Sequence, residues 1–400
     1  MNSRLLYQYC IILIAISLPW NMAISSVMTI LCGVLWLITP GKSMKALKWL
    51  IPIFLFVALM AISILYSDDW QYGLKLIERK LSLILFPIFI ATLAPDKKTI
   101  KQSLYAFVFS CLIACLASHT AVVYKLIDSG DEWFNIFNKN YSYQNLTAFT
   151  GLHTSYFGLY LIFASGILMV HLSQHKKYRL AIVLLLSYFL FFTFHLSART
   201  PIFTMYLLIV FYSIFHQYKK GRLWKGIGVF VLINVLIVSL LYSVRVTRYR
   251  FQQVFGFTYH NGTTANDGAH KLNLWGAAIA ANNAFLFGEG IGDAKNKIID
   301  SLEERGLHKE HKKQLNAHNQ YIETYVANGL VGLLLYLFLC LALLRYFIRQ
   351  NNPYGVILIL AFMCCSFTES MLERNKGIVF ISYFSMLLIQ LKPKKEQIDL

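Results

Sequence analysis

Apolar residues fill most of this chain in blocks of about 16 to 23 positions, separated by short polar segments rich in lysine and arginine. A helix needs about 20 such residues to cross the roughly 30 Å hydrocarbon layer of a bilayer. Twelve blocks stand out, near 5–20, 23–39, 49–66, 81–94, 103–124, 152–172, 180–197, 201–216, 226–243, 322–344, 353–368 and 377–391. The fourth is short and carries Pro87. The pattern predicts an all-α polytopic membrane protein with twelve transmembrane helices. The first block follows Met1 to Arg4 as a signal peptide would, yet no small-residue cleavage site precedes the second block, so it reads as a retained helix.

The one long interruption is 244–321, between the ninth and tenth blocks. Loops of that length are usually functional or disordered. Within it, 271–287 (KLNLWGAAIAANNAFLF) and 294–315 (AKNKIIDSLEERGLHKEHKKQL) both read as helices, the second amphipathic and strongly charged, so a folded cap is expected. The intervening "GEGIGD" follows no strand and is a glycine turn, not a nucleotide-binding fingerprint. The expected organisation is a single membrane domain, with helices one to nine in 1–243, the cap in 244–321, and helices ten to twelve with a tail in 322–400.

Composition agrees: 57% of residues are hydrophobic and 14% charged, against the roughly 25% charged of soluble domains. Basic residues set the orientation. With both termini in the cytoplasm, the inner segments hold Arg4; Lys42, Lys45 and Lys48; Lys97, Lys98 and Lys101; Lys176, Lys177 and Arg179; Lys219, Lys220, Arg222 and Lys225; Arg345 and Arg349; and Lys392, Lys394 and Lys395. The short outer loops hold fewer, and the long cap is exempt from the rule. The net charge of +18 reflects this bias, not a basic soluble face, which excludes nucleic acid as a partner. All seven cysteines lie in predicted helices, so no periplasmic disulfide framework is implied. The inner loops are too short to hold a nucleotide, which leaves the outer side for chemistry.

Candidate chemistry gathers at the outer ends of the helices. His318 precedes Tyr321, Tyr325 and Gly329 at offsets of three, seven and eleven, one helical face, on which the glycine lets a neighbouring helix approach. There the positive end of the helix dipole disfavours a cation, and an unprotonated imidazole can accept a proton; the competing reading is an interfacial histidine that caps the helix, with Tyr321 in an aromatic belt. In "HLSARTPIF" (195–203) Arg199 stands at the start of helix eight, with Pro201 in the first turn. Guanidinium and helix end together suit a phosphate or pyrophosphate, while an arginine snorkelling to headgroups is the alternative. Arg245, Arg248 and Arg250 in "SVRVTRYRF" add cations at the outer end of helix nine, open to phosphate contact or to solvation. In "TESMLERNKG" (368–377), Glu369 can orient His318 or pair with an arginine, and a surface pair of Glu373 with Lys376 or Arg374 explains the motif equally well. His153 and Tyr156 in "GLHTSYFGLY" are substrate contacts or interface anchors. "HKEH" at 308–311 lacks the zincin order and a third ligand, so no metal site is expected.

Three of these segments carry a resemblance to the O-antigen ligase and O-antigen polymerase family of bacterial envelope proteins. "AHNQYIETYVANGLVGLLLY" is similar to the family's His-Asn-x-aromatic-aliphatic motif and glycine-rich helix, "LSARTPIF" resembles its Ser-Arg element, and "LNLWGAAIAANNAFLFGEGIGD" resembles its Trp-x-x-Ala segment. The resemblance implies a GT-C-like glycosyltransferase architecture in the inner membrane with a periplasmic active site. It implies a glycan donor linked to undecaprenyl pyrophosphate and a lipid A-core acceptor hydroxyl for a ligase, or a second carrier-linked repeat unit for a polymerase, with no cofactor and no metal. His318 would be the general base, Arg199 a pyrophosphate contact, and Asn319 and Tyr321 neighbours of the substrate. Family members often place a second arginine just before the Trp-x-x-Ala segment; here that place reads "GAHKLNLW", with His270 and Lys271, so Arg248 or Arg250 is the expected substitute. A lipid-linked sugar transporter is the competing class. Ion-coupled transporters carry ionisable residues deep in their helices, and here His119 alone lies well inside one.

Overall fold

The computed structural model describes residues 2–44, 50–174, 176–219, 221, 223–243, 259–260, 263–264 and 267–391. Each of the twelve apolar blocks falls on a helix: α1 Ser3–Ser17, α2 Met22–Ile38, α3 Ile51–Ile62, α5 Ser82–Thr92, α6 Lys97–Asp128, α7 Thr154–Gln174, α8 Arg179–His195, α9 Arg199–Lys219, α10 Leu223–Ser243, α14 Gln320–Arg349, α15 Pro353–Ser366 and α16 Asn375–Ile389. Among the described residues, four α-helices lie outside the blocks: α4 Trp70–Lys80, α11 Asp267–Ala280, α12 Ala294–Glu304 and α13 His308–Lys312. The described strand content is one two-residue antiparallel ladder, Tyr259 and His260 against Thr264 and Thr263. Among the described residues, α6, α7 and α14 are long and apolar enough to cross a membrane, and seven further apolar helical stretches are shorter.

The ends of these helices follow from local chemistry. Asp69 accepts from the Tyr72 N–H at 2.9 Å and starts α4; Asn319 starts α14, and Asn352 with Pro353 behind it starts α15. In the cap the two expected helices are shorter than the periodicity suggests. The first stops at Ala280 because Asn282 turns the chain, its Oδ1 accepting from the Ala284 N–H at 3.0 Å. The second breaks at Gly306, whose φ of 70° ends α12 before α13 begins.

The chain forms two compact units. The first holds 1–18, 22–103 and 271–400, and the second holds 19–21 and 104–270. In the first, α16 is buried along nearly its whole length beside α5; Tyr7 donates to the Phe89 carbonyl at 3.0 Å and Tyr383 to the Ile11 carbonyl at 2.7 Å. A smaller apolar core joins α11 and α12 to α14, with Leu274, Ala277 and Ala278 of α11 and Ile298 and Leu302 of α12 packed on Val326 and Ala327 of α14. In the second unit α7 is the most enclosed helix, and Gly158 lets α9 approach, since a Cβ there would lie 2.3 Å from Pro201 Cγ. All seven cysteines are free, and only Cys364 is not fully buried.

Candidate functional site

The polar stretch before α14 builds a tight corner. Asn319 is extended (φ −154°) and acts as N-cap, its Oδ1 accepting from the N–H groups of Tyr321 at 2.9 Å and Ile322 at 3.2 Å. His318 therefore stands one residue outside the helix, in the left-handed region at φ 45°, with its N–H donated to Asn316 Oδ1 at 3.2 Å. This corrects the expectation that His318, Tyr321, Tyr325 and Gly329 share one helical face: helical spacing does not extend past an N-cap. Tyr321 instead turns into the helices of its unit, donating to the Met363 carbonyl at 2.9 Å with its ring 4.7 Å from that of Phe367. Tyr325 faces Phe285, 6.4 Å away.

Outside the helix, the imidazole reaches the segment between α15 and α16. His318 Nδ1 lies 3.3 Å from Glu369 Oε1, with the carboxylate side chain 9% exposed and the imidazole 33%. A carboxylate oxygen only accepts, so Nδ1 is the donor in this contact, and Nε2 is the ring nitrogen it leaves unengaged. Of the two contacts open to Glu369 in the sequence, the one with His318 is present here.

The same segment is tied down by groups that periodicity did not single out. Gln320 Oε1 accepts from the Leu372 N–H at 2.6 Å, while its Nε2 donates to Thr324 Oγ1 at 3.0 Å. Glu323 Oε2 accepts from the Ala317 N–H at 3.2 Å and from Ser370 Oγ at 3.3 Å, bracing both sides of the corner. Glu373 pairs with Lys80 of α4 at 2.9 Å, and the lysine side chain is only 2% exposed. The expected partners Lys376 and Arg374 are thus replaced by a residue 293 positions away in sequence, and Lys376 donates to the Leu18 carbonyl at 3.1 Å. Burial first, and the Glu373 carboxylate second, push the nearby Tyr72 phenol up, so it stays protonated.

Removing one member of a buried ion pair strands the other charge. Lys80→Met is expected to destabilise the protein by roughly 3 kcal/mol, and the double variant Lys80→Met with Glu373→Leu to recover most of that loss. Thermal unfolding in detergent checks it; equal melting points for single and double variants would show that the pair is not coupled.

In the second unit Arg199 is the half-buried first residue of α9, reached through the buried, left-handed Ser197 (φ 52°). His153 lies just before α7 and accepts from the Ser155 N–H at 3.4 Å, its ring 6.1 Å from that of Tyr156, which is buried. His119 is not alone in the apolar interior as the sequence suggests. Its Nε2 lies 3.1 Å from His195 Nδ1 and its Nδ1 3.0 Å from Tyr188 Oη, while His195 Nε2 meets the Ile136 carbonyl at 2.9 Å. The signal in sequence was His195 itself, four residues before Arg199. Lys271 is half-buried on α11 of the first unit. Arg245, Arg248 and Arg250 lie outside the described residues.

Comparison with known proteins places these elements. The chain is 28% identical over 129 residues to an uncharacterized protein of Haemophilus influenzae, a match covering 30% of this chain and 32% of that relative. The chain thus spans about a third of the length of the curated relative it matches. The family model described as O-antigen ligase matches residues 180–337, the stretch that runs from α8 and Arg199 through the cap to His318 and the first half of α14. In that matched segment, which holds both the Ser-Arg element and the His-Asn corner, the chain is similar to the O-antigen ligase family.

Proposed function

We propose that this protein is a multi-pass glycosyltransferase of the bacterial inner membrane, with twelve spans and both termini in the cytoplasm. It moves a glycan from undecaprenyl pyrophosphate to an acceptor hydroxyl on the periplasmic face. The observation that carries the reading is the His318–Glu369 pair, exposed on the imidazole side and buried on the carboxylate side. In this scheme Nε2 takes the proton of the acceptor hydroxyl as its oxygen bonds to the anomeric carbon. The bond from that carbon to the carrier diphosphate breaks, and its electron pair leaves on the phosphate oxygen. Pyrophosphate is already a good leaving group, so the protein's tasks are to position a base and to neutralise growing negative charge.

Arg199 fits the second task, at a helix start where the dipole and the guanidinium attract the same anion. Arg248 or Arg250, with Lys271 beside the Trp-x-x-Ala segment, are the proposed further cations; His153 and Tyr156 are proposed to contact the glycan. Arg199→Lys is expected to fail almost as completely as Arg199→Ala, because a lysine cannot reproduce the bidentate fork. Transfer rates of the purified variants check this, and a fully active lysine variant would leave only a point-charge role.

The acceptor distinguishes a ligase, which uses a lipid A-core hydroxyl, from a polymerase, which extends another carrier-linked unit; the ligase is the reading taken here. Purified protein supplied with a carrier-linked glycan, and in separate tubes with lipid A-core or a second carrier-linked unit, is expected to form product with the first. Product only in the second tube would make it a polymerase, and product in neither would refute transfer.

A further inference from the structure

No charged residue stands between Glu323 and Arg345, so the apolar stretch of α14 begins at Thr324. Yet the helix is broken inside that stretch. Gly329 has φ 63° and ψ −164°, far from helical values. At 1.5 Å per residue the break lies roughly 8 Å inside the apolar stretch. Backbone groups freed there cannot be left to lipid, where each unpaired group costs several kcal/mol.

The segment 282–290, between α11 and α12, supplies their partners. Leu330 and Val331 donate to the carbonyls of Phe285 at 2.9 Å and Leu286 at 3.1 Å, while Glu289 and Gly290 donate to those of Val326 at 2.8 Å and Ala327 at 3.1 Å. Asn282 Nδ2 donates to the Tyr325 carbonyl at 3.2 Å. Glycines on both sides make the approach possible: a Cβ on Gly329 would lie 2.2 Å from the Leu286 carbonyl, and one on Gly288 would lie 2.5 Å from the Gly329 nitrogen. The segment therefore shares the depth of the break in α14.

Its side chains fit that depth. Phe285, Leu286 and Phe287 are 58%, 53% and 55% exposed, three consecutive large apolar residues turned away from the protein. Tyr66 donates to the Phe287 carbonyl at 2.8 Å and joins them to the exposed Leu65. Water is a poor solvent for such a cluster, and main-chain pairing to a membrane helix puts it beside acyl chains.

We infer that residues 282–290 form a re-entrant segment whose Phe285, Leu286 and Phe287 dip into the outer part of the bilayer and contact lipid acyl chains, so that this part of the long outer loop is a membrane surface. Cysteine is placed singly at Leu286 and, as a water-facing reference, at the exposed Glu304 of α12, in full-length protein reconstituted in phosphatidylcholine nanodiscs. A charged maleimide is expected to modify E304C readily and L286C about tenfold more slowly or worse, since an apolar surround suppresses the thiolate, whereas a lipid-soluble maleimide modifies both. Modification of L286C by the charged reagent at the rate of E304C would overturn the inference. So would failure of the lipid-soluble reagent at L286C, which would put Leu286 inside protein; F285C, tested in the same way, guards against a local defect at one position.

Discussion

His318→Ala is expected to lose transfer by about 100 to 10,000-fold, the usual worth of a positioned general base, while the protein still reaches the membrane. The expectation rests on where the imidazole sits. It is one-third exposed, outside the helix, and held through Nδ1 by Glu369, so its removal empties no core. The backbone at 318 is a separate matter, because φ 45° suits few side chains and a simple alanine there carries its own strain of roughly 1 kcal/mol. Asparagine tolerates that conformation and is no base. His318→Asn should thus keep the fold and still lose transfer to the same extent. Rates are measured with purified protein and carrier-linked glycan at matched protein levels. An asparagine variant that transfers normally would end the base assignment, and a loss confined to alanine would trace the effect to the backbone.

Gly329→Ala is expected to be the most damaging small substitution for the fold. The residue occupies a backbone region open almost only to glycine, which costs other residues of order 1–3 kcal/mol. Its Cβ would also meet main-chain atoms, at 2.2 Å from the Leu286 carbonyl and 2.4 Å from the Phe287 nitrogen. Neither can rotate away as a side chain would. Relief requires pulling 285–287 off the broken helix, which unpairs the carbonyls of Phe285 and Leu286 as well. Gly276 in α11 provides the contrast, since nothing lies within 4 Å of a Cβ there and alanine favours a helix. Gly276→Ala is expected to leave the melting temperature in detergent unchanged or raised, and Gly329→Ala to lower it sharply. Equal melting temperatures for the two would mean that the tight pairing of 282–290 with α14 is wrong.

The candidate site was partly legible in the chain. His318, Asn319 and Glu369 stand out because polar groups at the rim of apolar helices have few structural uses. Lys80 was hidden, because an amphipathic helix beside a basic run reads as a solvated surface, and only its pairing with Glu373 reveals a buried cation. Gln320 and Glu323 were hidden for a similar reason: the first turn of a helix normally faces water, whereas here the segment between α15 and α16 closes over it. His195 was in view as part of "HLSARTPIF", but its contact with His119 joins α8 to α6 across 76 positions.

The order of apolar blocks, their helical character, the presence of helices in the long interruption after the ninth block and the residue types available for acid–base and anion chemistry are properties of the sequence alone. Each depends on spacing within a few turns and on the cost of leaving backbone groups unpaired in an apolar medium. The position of His318 outside its helix, its pairing with Glu369, the burial of Lys80 and the insertion of 282–290 into the break of α14 belong to the tertiary structure. They depend on which groups meet after distant segments pack, and periodicity records only which residues are apolar, not which partner each polar one will find.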